Sequence, residues 1–382
     1  MKESHTQERN YALRSLLLVV LILTGLLLVA CGDSTATTVS TTTAASTAAK
    51  TTVASGTTTT AAASSTTTVA ATSSGAKTKI IYACQATAET APIYLGIEKG
   101  YFAANNLEVE IALTNGTSDL IPLVATGQAS GGVATWAAAF FNAAKNKSTV
   151  SILGSLGRIP DSGRTPARII VSKAAYDSGQ VKTVADLKGK KVAIPGPGAF
   201  AEYSVNLALK TGGLSIKDVE LVNIPFPQQA AAFKTGSVVA SFASEPVSTQ
   251  LEADGTAVTL VDGHAGGTEL TFMVFNTDFL NKNTEAVTRF LSVYIKTLRE
   301  LDAGGWKDPE VQKIVEKYTK APGALLSKIA LSVHSNNDVI NINTVRAQEA
   351  YFRERGVLSY TGDLDLESLI RKDIIQKALQ SL

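Results

Sequence analysis

The chain has 382 residues and a formal charge of +2, from 35 Lys and Arg against 33 Asp and Glu. That balance provides no clustered basic face of the kind nucleic acid requires, and His5, His264 and His334 lie too far apart in sequence for metal-ligand spacing. Residues 1–77 differ in composition from the remainder, which leaves roughly 300 residues to fold, enough for two lobes rather than one small core.

Lys2, Arg9 and Arg14 precede an almost unbroken apolar run from Leu16 to Val29. The run is short for a membrane span and suits the core of a signal peptide. It ends in Leu28-Val29-Ala30-Cys31, a pattern similar to the bacterial lipobox, in which the cysteine is lipidated and becomes the new N-terminus. Residues 1–30 are therefore expected to be a signal peptide. Residues 31–77 are expected to be a lipidated Cys31 followed by a disordered tether, because Ser34–Ala76 is almost entirely Thr, Ser, Ala and Gly and cannot bury a core. Two or more acyl chains would hold the exported protein on the outer face of the cell membrane. With Cys31 consumed, Cys84 has no partner for a disulfide and reads as a small buried hydrophobe in an apolar strand.

From Lys79 the pattern alternates. Lys79–Cys84 predicts a strand, Pro92–Lys99 a helix stopped by Gly100, Leu107–Leu113 a strand and Ser118–Ala125 a short helix. Gly132–Thr135 predicts a third strand, Trp136–Ala144 a helix and Val150–Leu156 a fourth strand. This βαβα order implies an α/β fold with a mostly parallel sheet, whose ligands collect at the carboxyl ends of the strands. Those ends carry Gln85, Thr87 and Glu89, then Thr117 and Ser118, then Thr135 and Trp136, all candidate ligand-binding residues. Each also has a plainer use: Thr117 or Ser118 can cap a helix, and Trp136 can fill core.

Ala167–Ser172 reads as the strand that first crosses into a second lobe. Within that lobe Lys191–Ile194 is a short strand, Pro195-Gly196-Pro197-Gly198 a turn, and a helix opens near Ala199. A helix N-terminus presents unpaired backbone N–H groups, so Gly198, Ala199 and Phe200 are candidates to receive a ligand oxygen, with Tyr203 one turn further on. A strand at Val219–Ile224, a helix at Pro227–Thr235, a strand at Val238–Phe242 and a helix opened by Glu245-Pro246 follow, and Glu245 joins the candidate ligand residues. Thr271–Asn276 reads as the return crossing. Lobe I is then 78–170 with 272–382, lobe II is 171–271, and the two crossing strands form a hinge that lets the lobes close. Helical segments are expected at Thr284–Ala303, Pro309–Lys320, Ala324–Ser332, Thr344–Arg355 and Leu366–Leu382, with Gly356 stopping the fourth.

The run Ala91-Pro92-Ile93-Tyr94-Leu95-Gly96-Ile97-Glu98-Lys99-Gly100-Tyr101-Phe102, followed by Leu107-Glu108-Val109-Glu110, resembles the opening of ABC-transporter substrate-binding proteins. The branch is the one that binds nitrate, alkanesulfonates, taurine or the thiamine pyrimidine precursor. Leu123–Gln128, Asp186–Val192, Ile224–Gln228, Ala231–Gly236 and Glu245-Pro246 continue the resemblance in order, so that it covers nearly all of 79–300. It implies a type II periplasmic-binding-protein fold with two lobes, a ligand in the cleft between them, ABC permease subunits as partners, a monomer and no cofactor. Ser130 and Val239 stand where the family pattern usually has Asp, which should alter only local capping. Ala199 stands where the family often has a Ser or Thr for an anionic group. With Trp136, Phe200 and Tyr203 nearby, that shifts the expected ligand from a simple anion toward an organic molecule with a flat or apolar body.

Three other functions compete. Gly196-x-Gly198-x-x-Ala201 fits a dinucleotide fingerprint, but the following strand ends at Asn223-Ile224 without the acidic residue that would hold the ribose. An enzyme on the same two-lobed fold, pyrimidine-synthase-like or menaquinone-pathway-like, would need a positioned acid–base group, and Glu89 and Glu245 are the carboxylates available at the cleft, with no histidine beside them. A surface lipoprotein that binds another protein is the third. The residues favour a solute-binding protein that is not an enzyme.

Overall fold

Residues 76–145, 149–334 and 340–382 are described by a computed structural model of the chain; the expected signal peptide, Cys31 and the tether up to residue 75 lie outside them. The chain alternates β1 (Thr78–Cys84), α1 (Ala91–Glu98), β2 (Leu107–Leu113), α2 (Thr117–Ala125), β3 (Gly131–Thr135), α3 (Ala138–Lys145) and β4 (Val150–Arg158). Next come β5 (Ala167–Ser172), β6 (Lys191–Ile194), α4 (Phe200–Thr211), β7 (Glu220–Asn223), α5 (Gln229–Lys234), β8 (Ala240–Ser244), α6 (Val247–Ala253) and β9 (Ala257–Val261). After β10 (Glu269–Asn276) the longer elements are helical: α7 (Thr284–Asp302), α8 (Pro309–Thr319), α9 (Ile342–Glu354) and α10 (Lys372–Gln380).

Two five-stranded sheets result, in the orders β2-β1-β3-β10-β4 and β7-β6-β8-β5-β9. In each sheet four strands point the same way, while β10 in the first and β5 in the second run antiparallel to both of their neighbours. The sheets are thus mostly aligned in one direction, as expected, with one reversed strand in each. The reason is topological: β5 and β10 are the strands that arrive from the other half of the molecule, and each inserts beside strands already running the opposite way. Every residue of β10 is buried, which fits its apolar run Leu270-Thr271-Phe272-Met273-Val274-Phe275 and its place inside the sheet.

The expected crossing strands need correction. Ala167–Ser172 lies wholly in the second sheet and Thr271–Asn276 wholly in the first. The chain passes between halves through residues 159–166 and 262–268, which pair with one another: Ile159 N–H donates to Thr268 O at 2.9 Å and Gly267 N–H to Ile159 O at 3.0 Å. These two connecting segments run side by side, several residues from where the apolar runs pointed. Strand β9 has no counterpart in the sequence reading, and of the helix expected at Ala324–Ser332 only a turn at Gly323–Leu326 forms.

Helix α7 packs on α1 and α10 through buried Val287, Phe290, Leu291, Tyr294 and Leu301, the i, i+3/i+4 stripe its sequence carries. Cys84 is fully buried, and burial pushes its thiol up to about 12, so it behaves as a hydrophobe. Where the Asp of the family pattern is missing, Ser130 Oγ accepts the Ile81 N–H at 3.2 Å and ties β1 to the start of β3. Gly356 follows the end of α9 with a positive φ of 70°, the left-handed stop its position predicted.

Candidate ligand-binding site

A cavity of about 40 Å³ lies between the two sheets, walled by the carboxyl ends of their parallel strands. The first half contributes Gln85, Thr87 and Glu89 after β1, Gly116 and Thr117 after β2, and Thr135 at the end of β3. The second half contributes Pro195, Gly196, Ala199, Phe200 and Ala201 around the start of α4, with Ser244 from the end of β8. Seven of the residues singled out from the sequence therefore meet in one space. Missed were the wall residues Val133, Phe226, Phe242, Leu270 and Thr271, apolar or β-branched side chains that look like ordinary core in sequence. Ser244 was also missed, although it directly precedes Glu245.

The polar side chains are held before any ligand arrives. Thr117 does not cap α2: its Oγ1 accepts the Thr135 N–H at 2.9 Å and lies 2.9 Å from Thr135 Oγ1, tying the ends of two strands together. Gln85 Nε2 donates to Asn115 O at 2.9 Å. Glu89 Oε1 accepts from Ser332 Oγ at 2.6 Å, and Oε2 takes only a long bond from Thr271 Oγ1 at 3.4 Å. Burial raises the Glu89 carboxyl above its usual range, with the Ser332 and Thr271 hydroxyls and His334 opposing the shift. Glu89 is the one charged side chain on the cavity wall among the described residues; the wall carries no Lys, Arg or His.

Five expected ligand residues do not line this cavity. Ser118 Oγ donates instead across the cleft to Pro197 O at 2.9 Å. Trp136 is 0% exposed, stacked on Phe272 at 4.1 Å between centroids and set edge-on to Phe140 at 5.4 Å; it is core behind the site. Gly198 spends its N–H on Glu202 Oε2 at 2.8 Å, so that donor belongs to the helix's own side chain. Tyr203 packs edge-on against Tyr351 at 5.4 Å. Glu245 is 1% exposed and ion-paired to Arg168 at 3.0 Å, and it also accepts from Thr249 Oγ1 at 2.9 Å and Ala330 N at 3.1 Å. A buried carboxylate so fully engaged is structural.

Two further features draw the halves together. Ala138 N–H donates to Gly198 O at 2.7 Å, and Ala88 N–H to Glu245 O at 3.1 Å. Glu202, unremarkable in the sequence, accepts from Tyr351 OH at 3.1 Å and Arg355 Nε at 2.8 Å through the same Oε1. The first turn of α4 is thereby fastened to the end of α9, nearly 150 residues later. Among the described residues no group of His, Cys, Asp and Glu could hold a metal ion, and no helix is long and apolar enough to cross a membrane.

A family profile described as NMT1/THI5 like matches residues 87–301, more than half of the chain. Over 151 residues the chain is 31% identical to the taurine-binding periplasmic protein of Escherichia coli (strain K12), covering 36% of this chain and 47% of that protein. Over 175 residues it is 30% identical to the riboflavin-binding protein RibY of Chloroflexus aurantiacus, covering 45% of this chain and 46% of that protein. The chain spans about half the length of the curated relatives it matches. The periplasmic nitrate-binding protein NrtA from Synechocystis PCC 6803 superposes with a TM-score of 0.66 at 17% identity, covering 80% of this chain and 89% of that one. The neighbours among solved structures share the periplasmic-binding-protein fold, and at such identities the likeness speaks to fold alone.

Proposed function

The chain belongs to the NMT1/THI5-like family, and we propose that it is an extracytoplasmic solute-binding lipoprotein that captures a small organic molecule between its halves and delivers it to an ABC importer. The observation that carries this reading is the hydroxyl-bearing cavity between two sheets whose halves are linked along the chain by a paired connection. In the proposal the two halves act as lobes that close on the solute, and the permease prefers the closed form. A solute shifts that equilibrium only by binding the closed form more tightly, which the bonds from Ser118 to Pro197 and from Ala138 to Gly198 favour once the cleft is filled. Within the proposal Cys31 carries the lipid, and the segment to residue 77 is the tether that holds a monomeric receptor at the outer face of the membrane.

A chain whose cavity wall has hydroxyls, one carboxylate and no cation is better suited to a neutral or N–H-bearing solute than to a bare oxyanion such as nitrate. Native mass spectrometry of the purified chain should reveal a co-purifying small molecule. Calorimetry with taurine and riboflavin would then place the solute near one or the other. Chemical turnover of the bound molecule would move the protein to the enzyme class. Cys31→Ala should release the protein from membranes without changing solute affinity; continued membrane partitioning after processing would dismiss the lipid anchor.

A further inference from the structure

A second cavity, of about 470 Å³, lies immediately outside the first, and Gln85 and Phe226 line both. Its walls come from the same two halves. Leu113 and Tyr318 face it from the first; Pro225, Pro227, Val247 and Leu251 face it from the second, with Asp254 and Lys320 also on its wall. Leu113 is 62% exposed at the carboxyl end of β2, and it is the most exposed large hydrophobic side chain among the described residues. A lone exposed leucine is ordinary. One set into an apolar wall that continues the solute cavity is not. Tyr318 is stacked on Tyr94 at 4.1 Å with the rings 1° from parallel, so this wall is rigid before anything binds.

The two spaces differ in size. A water molecule needs about 10–15 Å³ by this measure, so the inner cavity admits only a few heavy atoms of a solute. The inner cavity sets Glu89 and the Thr hydroxyls beside Phe226, Phe242 and Leu270, while the outer space, more than ten times larger, adds Leu113, Pro225, Pro227, Val247 and Leu251 beside Asn115, Asp254 and Lys320. In the inner cavity Glu89 Oε2 has acceptor capacity left over from its long bond to Thr271. An anionic head would meet a like charge there, with no Lys, Arg or His on the cavity wall among the described residues.

We propose that the solute is bipartite, with an N–H-bearing head enclosed beside Glu89 and an apolar or flat tail that passes Gln85 and Phe226 to lie in the outer cavity against Leu113. This rests on the solute-receptor reading and adds to it a ligand class and a second subsite. The tail excludes water from the apolar wall, and the head is selected by the carboxylate.

The test uses the full chain and fluorine NMR. The probes are 4-fluorobenzylamine, which has both head and tail, and methylamine, which has only the head and is read by competition. The benzylamine should bind at least about fivefold tighter than methylamine, because its ring removes apolar surface from water. Leu113→Asp, at an exposed site that does not support the core, should erase most of that advantage and leave methylamine unchanged. Glu89→Gln should weaken both. Equal affinities for the two amines, or a Leu113→Asp variant that binds 4-fluorobenzylamine like the parent, would overturn the bipartite site and leave the outer cavity as a solvent-filled mouth or a surface for a protein partner. If a co-purifying solute is nonetheless present, the receptor reading survives that result; if neither amine binds and nothing co-purifies, both readings fall.

Discussion

Gly116 offers the most direct test of closure. Its φ of −172° is extended backbone that any residue adopts, so glycine is not there for conformational freedom. It is there for space: a Cβ at Gly116 would lie 2.6 Å from the Pro195 carbonyl oxygen, against 3.4 Å for ordinary contact. Gly116 follows β2 in the first sheet and Pro195 follows β6 in the second, so the clash falls between the halves. In Gly116→Ala the carbonyl cannot rotate away cheaply, and relief comes from parting the halves by roughly 0.8 Å, which stretches the Ser118–Pro197 and Ala138–Gly198 bonds. Overpacking of this kind costs about 1–3 kcal/mol, and each weakened bond adds up to about 1 kcal/mol. A loss of about 2–3 kcal/mol in the closed form alone lowers solute affinity by roughly 30- to 150-fold. Calorimetry with the co-purifying solute measures that loss, and thermal melts without solute should move by less than about 1 kcal/mol, since an opened cleft has no clash. Ser118→Ala, which removes one bond and adds no clash, should weaken binding by no more than about tenfold. Affinity of Gly116→Ala within about threefold of the parent would refute the idea that binding requires this approach of the halves.

Trp136→Ala should cost about 3–5 kcal/mol of unfolding free energy, measured in urea, with solute affinity retained, because the indole is packed on Phe272 and Phe140 and does not reach the cavity. Arg168→Met should destabilise by about 3–5 kcal/mol by leaving Glu245 buried without its cation, and the double variant Arg168→Met/Glu245→Gln should recover part of that loss in a double-mutant cycle. Burial holds His264 down to about 4 from an ordinary 6.5, against the opposing pull of Asp262, and its Nε2 sits 2.8 Å from Ser204 Oγ. The unfolded chain therefore takes up this proton first: the contribution of neutral His264 is complete above pH 6.5 and drains away as pH falls toward 4, by at most about 3 kcal/mol. Urea midpoints at pH 7 and pH 4.5 should differ less in His264→Asn than in the parent, and an unchanged difference would exclude His264 as the source.

Local pattern was sufficient for much of this protein. Alternating apolar runs and helix stripes located nearly all of the longer elements, Gly100 and Gly356 marked helix ends, and polar residues after β1, β2 and β3 with the glycine turn after β6 pointed to the end of the sheets where the cavity lies. Those features depend on residues a few positions apart, so one sequence carries them. Strand direction is different. An internal strand buried on both faces, such as β10, has the same apolar composition whether it runs parallel or antiparallel, and only the path of the chain between halves decides which. The fate of individual side chains was likewise set at long range. Trp136 became core because Phe272 stacks on it, Glu245 became structural because Arg168 reaches it across the sheet, and Gly198 lost its donor to Glu202, which in turn is held by Tyr351 and Arg355. Sequence determined which residue types stand at the cleft. Whether each faces the solute, the core or the opposite half depends on partners as far as 243 residues away, and only packing of the whole chain brings those partners within bonding distance.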